Sequence, residues 1–171
     1  KPVMHKSLML LVMSIFEIAV QKHPNTESVL RYAKTGLLGL PYSQISALEN
    51  YCYKWNVDGE MWEHEFVISE NSADNFINDA RMKLINPLLK FKKETKNATG
   101  EVICEALYRL FIEIDLDKNI SGISAAKKSD DVENLTIARE IKQLWNVLIG
   151  ILEAMHTTLG ETQMPLKDFR E

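Results

Sequence analysis

DDVENLTIAREIKQLWNVLIGILEAMHTTL, residues Asp130–Leu159, decides how this chain is read. Ile137, Ile141, Leu144, Leu148, Ile151 and Met155 recur at alternating spacings of four and three, and Ala138, Trp145, Leu152 and Leu159 recur every seven. Both patterns fall on one wide face of an α-helix, with Lys142, Gln143, Asn146 and Glu153 off it. The stretch therefore predicts a helix of about thirty residues, roughly 45 Å long at 1.5 Å per residue. Ser129 or Asp130 can cap its start, Asp131 and Glu133 suit the first turn, and Gly160 stands where a left-handed terminus is expected. A face that wide has to be covered by other helices.

The remainder of the chain supplies them. Ser7–Val20 is nearly continuous apolar sequence, too short to span a bilayer and interrupted by Glu17, so it reads as a central helix buried on most sides. Further helices are expected from Glu27 to about Lys34 behind a Thr26 cap and from Gln44 to Trp55 behind a Ser43 cap. In the latter, Ile45, Leu48, Tyr51, Cys52 and Trp55 form one face. Another helix starts near Ser72, with Pro87 expected to kink or split it, and another follows Thr99. Asn56–Gly59 reads as a tight turn with Gly59 at positive φ, and the stretches 56–71 and 115–129 read as loops, the second with room for a short turn around Leu116–Ile120. Trp62 is expected to pin the first of these loops against the bundle, and Trp145 to pack in the core. No stretch alternates over strand length. The expected class is all-α, a multi-helix orthogonal bundle in one domain, 1–171, organised around the helix at about 130–159. Pro165, Leu166 and Phe169 look like the opening of a further helix, which suggests a segment of a larger protein.

Composition narrows the chemistry. The chain has 171 residues, 46% hydrophobic and 26% charged, with a formal net charge of −4, as expected of an ordinary globular domain without a global nucleic-acid signature. Cys52 and Cys104 fall inside apolar helical patterns and read as buried free thiols. Lys34-Thr35-Gly36 lacks the glycine-rich run that a phosphate-binding loop needs. His5, His23 and His156 are far apart, which gives no support to a catalytic triad. Glu60, Glu63, His64 and Glu65 are irregularly spaced and read as a solvated charged loop rather than a metal site. No catalytic residue, metal ligand or cofactor is expected within this segment.

One charged region has two readings. Arg81, Lys83, Lys90, Lys92, Lys93 and Lys96 stand against Asp79 and Glu94, a local balance of +4 inside an acidic chain. They form either a solubilising helix face with lysines favoured near its C-terminus, or a surface that contacts DNA phosphates. The one aromatic among these residues is Phe91, on the apolar pattern of the helix, so they form no single-strand stacking platform. Lys22 with Arg31 and Lys34 makes a second, smaller basic patch.

Arg31-Tyr32-Ala33-Lys34-Thr35-Gly36-Leu37-Leu38, Leu48-Glu49-Asn50-Tyr51, and Asn56-Val57-Asp58-Gly59 with Trp62 occur in that order. So do Ala80-Arg81 with Asn86-Pro87-Leu88-Leu89 and Phe91. Trp145, Leu148, Leu152 and Gly160 follow, ahead of Leu166-Lys167-Asp168-Phe169. Over about 140 of the 171 residues this succession resembles the central region of the B subunit of the AddAB/RexAB-type bacterial helicase–exonuclease. Asp58 stands where that family commonly has a basic residue. The resemblance implies a cytoplasmic role in double-strand-break repair and recombination, in a complex with an A subunit that uses ATP and Mg2+ and in some members an iron–sulfur cluster. It implies that this segment is the helical insertion of a superfamily 1 helicase-like domain, the 2B-like subdomain. Its partners would be other domains of the parent chain, DNA and the A subunit, with no membrane. The nucleotide-binding, nuclease and cluster motifs are not matched by these residues. An interaction or scaffold module without a DNA role is the alternative.

Overall fold

A computed structural model describes residues 3–67 and 73–126, together with Arg139, Gln143, Asn146, Ile149, Gly150, Glu153 and Ala154. Six helices follow one another: α1 (Val3–Val20), α2 (Thr26–Ala33), α3 (Tyr42–Trp55), α4 (Ala73–Glu94), α5 (Gly100–Glu113) and α6 (Leu116–Ala126), with a 3-10 turn at Gly59–Glu63 between α3 and α4. Among the described residues there is no strand, so the all-α class holds. The long helix at 130–159, Trp145 and the helix start at 165–171 lie largely or wholly outside the described residues. The seven described positions of the long stretch are helical. Arg139, Gln143, Asn146, Gly150, Glu153 and Ala154 are exposed, whereas Ile149 packs on the core.

The core forms where α1 meets α2 and α4, and α4 in turn meets α3 and α5. Leu11 and Ile15 of α1, Leu84, Ile85 and Leu88 of α4, and Ile103 and Leu107 of α5 are its buried centre. Phe16 meets Phe91 edge-on with ring centroids 5.7 Å apart, a preferred aromatic arrangement. Cys52 and Cys104 are both free and buried. Burial pushes the Cys52 thiol up to about 12 and raises Cys104 as well.

Local chemistry moves several boundaries. The N-cap of α2 is Asn25, whose side chain accepts from the Ser28 amide, because Thr26 is committed elsewhere. The α3 helix starts at Tyr42 behind Pro41, which offers no side-chain cap. At α5 the Thr99 cap is as expected, accepting from the Val102 amide. Pro87 does not split α4, which runs unbroken from Ala73 to Glu94. The α1 helix is less enclosed than its composition suggests, for Met9, Leu10, Met13 and Val20 are exposed along one side. Trp55 is also exposed rather than inward.

The largest departure is at 115–129, where α6 replaces most of the expected loop. Leu116 and Ile120, one turn apart, are buried, and Asn119 ties the helix down. Its amide donates to the Ile114 carbonyl at 2.8 Å and to the Leu37 carbonyl at 2.9 Å. A Cβ on Gly39, at φ +70°, would come within 2.8 Å of the Asn119 side-chain oxygen, so glycine is required there by both backbone and space.

Candidate nucleic-acid interface

The α4 helix carries five of the six basic residues singled out by sequence, and Lys96 follows in the turn after it. Helical phase separates them. Lys83 and Lys90 are seven residues apart and point within about 20° of each other, about 10 Å apart along the axis. Lys93 continues the row. Lys83, Lys90, Lys93 and Lys96 are all exposed, and none makes an ion pair among the described residues. Asp79 stands at the N-terminal end of this row and is exposed too.

Arg81 points the other way. It is 7% exposed. Its Nε donates to Asn78 Oδ1 at 3.1 Å and its Nη1 to the Trp62 carbonyl at 3.2 Å. The guanidinium carbon sits 5.7 Å from the Phe66 ring centroid. Burial lowers its pKa, opposed in part by Glu65, but an arginine stays charged at any ordinary pH. Asn78 completes the arrangement, accepting from the Phe66 amide at 2.9 Å and donating to the Phe66 carbonyl at 3.0 Å.

The same network explains how the segment after α3 is held. Trp62 is fully buried, and its Nε1 donates to Thr26 Oγ1 at 2.8 Å. The Thr26 hydroxyl passes the chain on to the Val57 carbonyl, and the Thr26 amide donates to Asp58 Oδ1 at 2.9 Å. Trp62 therefore pins this segment, as expected, with Gly59 at φ +60° permitting the turn. The acidic cluster nearby is dispersed. His23 Nδ1 lies 2.8 Å from Glu63, and His64 Nε2 lies 3.8 Å from Glu60. Among the described residues no three side chains come together as metal ligands.

Lys92 is half-buried, and its amino group donates to the carbonyl of Gln21 and, at 2.6 Å, to that of Lys22. It closes the C-terminal end of α1, where backbone carbonyls lack helical partners. Lys118, on α6, was hidden from sequence reasoning because its stretch reads as a loop. It lines a groove of about 520 Å3 together with Lys83, Asn86, Glu113 and Asp115. The Leu116–Ile120 spacing was the available signal for that helix.

The described residues thus make an all-helical bundle with a row of unpaired lysines on one outer face and no assembled metal or nucleophile constellation. No helix among them is long and apolar enough to cross a membrane. No family model matches the chain. Individual relatives do match along nearly its whole length. It is 32% identical to the B subunit of the ATP-dependent helicase/deoxyribonuclease of Clostridium botulinum strain Hall, over 95% of this chain and 15% of that protein. The protein of the same name from Clostridium kluyveri is 29% identical, over 100% of this chain and 16% of its own length. That from Thermoanaerobacter sp. strain X514 is 30% identical, over 92% and 15% respectively. The chain is homologous to the B subunits of these helicase/deoxyribonucleases, of the AddB/RexB type, and spans about 15% of the length of the relatives it matches.

Proposed function

We propose that this chain is a non-catalytic helical unit of a DNA-end-processing helicase–nuclease, and that the outward row of α4 lies along the DNA backbone. The observation that carries the DNA contact is the exposed row Lys83, Lys90, Lys93 and Lys96, without an ion pair among the described residues, in a chain of net charge −4. Unpaired lysines bind phosphates by releasing counterions and carry no sequence information. Arg81 and Lys92 act instead within the protein. The homology supports the wider setting of double-strand-break repair and recombination in the cytoplasm. That the relatives are named as B subunits supports pairing with an A subunit. In this reading residues 1–171 work as one unit, corresponding to the 2B-like insertion of a superfamily 1 helicase-like domain, and they scaffold their neighbours.

A second reading, a protein-interaction module without DNA contact, is favoured by the exposed apolar stripe Met9, Leu10, Met13 and Val20 on α1.

The test is binding of the chain to labelled duplex, forked and single-stranded DNA across a salt series. The DNA reading expects duplex binding whose log affinity falls with log salt, by about 0.9 per phosphate neutralised. Changing Lys83, Lys90, Lys93 and Lys96 together to Glu removes that dependence. Folded protein that ignores duplex at low salt leaves the interaction reading standing.

A further inference from the structure

A second concavity lies on a different part of the molecule, between α2 and the C-terminal end of α3. Its volume is about 870 Å3, within the range of small-molecule sites. Its floor is apolar, made by Leu30, Cys52 and Val57, all buried. One wall is Tyr53, an aromatic ring 67% exposed with apolar surface beside it. Asn56 lines the cleft in the left-handed conformation at φ +50°, with its side-chain amide exposed. The two cations at the cleft, Arg31 and Lys34, are already neutralised. Arg31 meets Glu17 at 3.1 Å and Glu27 at 3.0 Å, and Lys34 meets Glu49 at 2.7 Å.

This combination selects a ligand class. An apolar floor and a free aromatic face suit a flat ring. A free carboxamide offers one donor edge and one acceptor edge to a heterocycle. Paired cations do not offer a strong anion site. A nucleobase has the flat face and the polar edge that this cleft complements, and its attached phosphate contributes little. We propose that the cleft takes an unpaired base of single-stranded DNA, stacked on Tyr53 with its polar edge at Asn56. The choice of DNA over another heterocycle rests on the functional reading above, whereas the site itself is separate from the α4 lysines. It supplies the stacking surface that those lysines lack. Because stacking is sequence-tolerant, the site grips an unwound strand without reading it.

The experiment titrates the full chain into a short fluorescent oligothymidylate, an abasic strand of equal length, and a duplex. Tyr53→Ala is compared with Trp55→Ala, whose ring is 57% exposed but lies about 160° around the helix from Tyr53. Both side chains are solvent-exposed, so neither change unfolds the bundle. The expected result is an affinity for oligothymidylate about tenfold weaker in Tyr53→Ala, at a nearly unchanged salt slope. Trp55→Ala binds as the parent does, and the abasic strand does not distinguish the two variants. Equal binding by Tyr53→Ala and the parent overturns the proposal. So do an equal Tyr53 effect on the abasic strand and an absence of oligothymidylate binding. The four-lysine variant separates the two ideas. Loss of duplex binding there with no Tyr53 effect sinks only the base site, whereas a Tyr53 effect with indifferent lysines sinks only the backbone contact.

Discussion

Arg81 and Lys83 are two residues apart on one helix and behave as different kinds of residue. Two positions are about 200° of helical turn. That rotation puts Arg81 beneath the Trp62–Phe66 segment, with its guanidinium spent on Asn78 and a backbone carbonyl. Lys83 is left in solvent, in register with Lys90, and with Lys93 about 80° further round the helix. The inward polar row of α4 joins the bundle to the segment after α3, while the outward row joins it to nothing among the described residues. A count of charges along the sequence adds these residues together, but helical phase shows that they cannot share one ligand.

The largest effect expected from this contrast is at Arg81. Arg81→Ala removes a buried charged donor and leaves Asn78 and the Trp62 carbonyl short of a partner. It should cost about 3 kcal/mol in urea unfolding and lower the melting temperature by roughly 2–4 °C per kcal/mol. Equal stability of this variant and the parent would break the comparison at its inward side.

Lys92, about 20° around the helix from Arg81, belongs to the inward row and sharpens the boundary. Lys92→Met keeps most of the aliphatic stem and loses the hydrogen bonds to the Gln21 and Lys22 carbonyls. The expected cost is about 1–2 kcal/mol, with the salt slope of DNA binding unchanged. A reduced slope at full stability would move Lys92 to the outward group.

Tyr32 tests burial without partnership. Its ring is fully buried, and its hydroxyl has no hydrogen-bond partner among the described residues. Burial and the nearby Glu113 carboxylate both raise its pKa, so the phenol stays neutral throughout the ordinary pH range. Tyr32→Phe removes an unsatisfied group, and thermal unfolding should show neutrality or a gain of up to about 1 kcal/mol. A clear loss would mean that the hydroxyl has a partner.

Much of the helical order is legible in sequence because apolar spacing reports it directly, as at Leu84, Leu88 and Phe91 in α4 or Ile103, Leu107 and Leu110 in α5. What was not legible depends on tertiary partners. Thr26 looks like a cap but is claimed by Trp62 and Val57, so Asn25 takes that role. The α6 helix buries Leu116 and Ile120 and is fastened by Asn119 reaching the Leu37 carbonyl, a link between residues 82 positions apart. Met9 and Met13 look like core in an apolar run, yet that side of α1 is uncovered. Among the six basic candidates, sequence identified the helix, but only the surroundings of each side chain divide Arg81 and Lys92 from the other four.

The outward lysines carry the smallest stability effect, within about 0.5 kcal/mol at each site, and the central functional claim. The most direct measurement places a photocrosslinker on that face. Lys90→Cys and, on the exposed side of α1, Met13→Cys are each labelled with benzophenone maleimide and irradiated on duplex DNA. The native Cys52 and Cys104 are buried with raised pKa values, so they compete poorly for the reagent. The account predicts a salt-sensitive crosslink to duplex from position 90 and none from position 13. Crosslinking from position 13 with none from position 90, in folded protein, would contradict it.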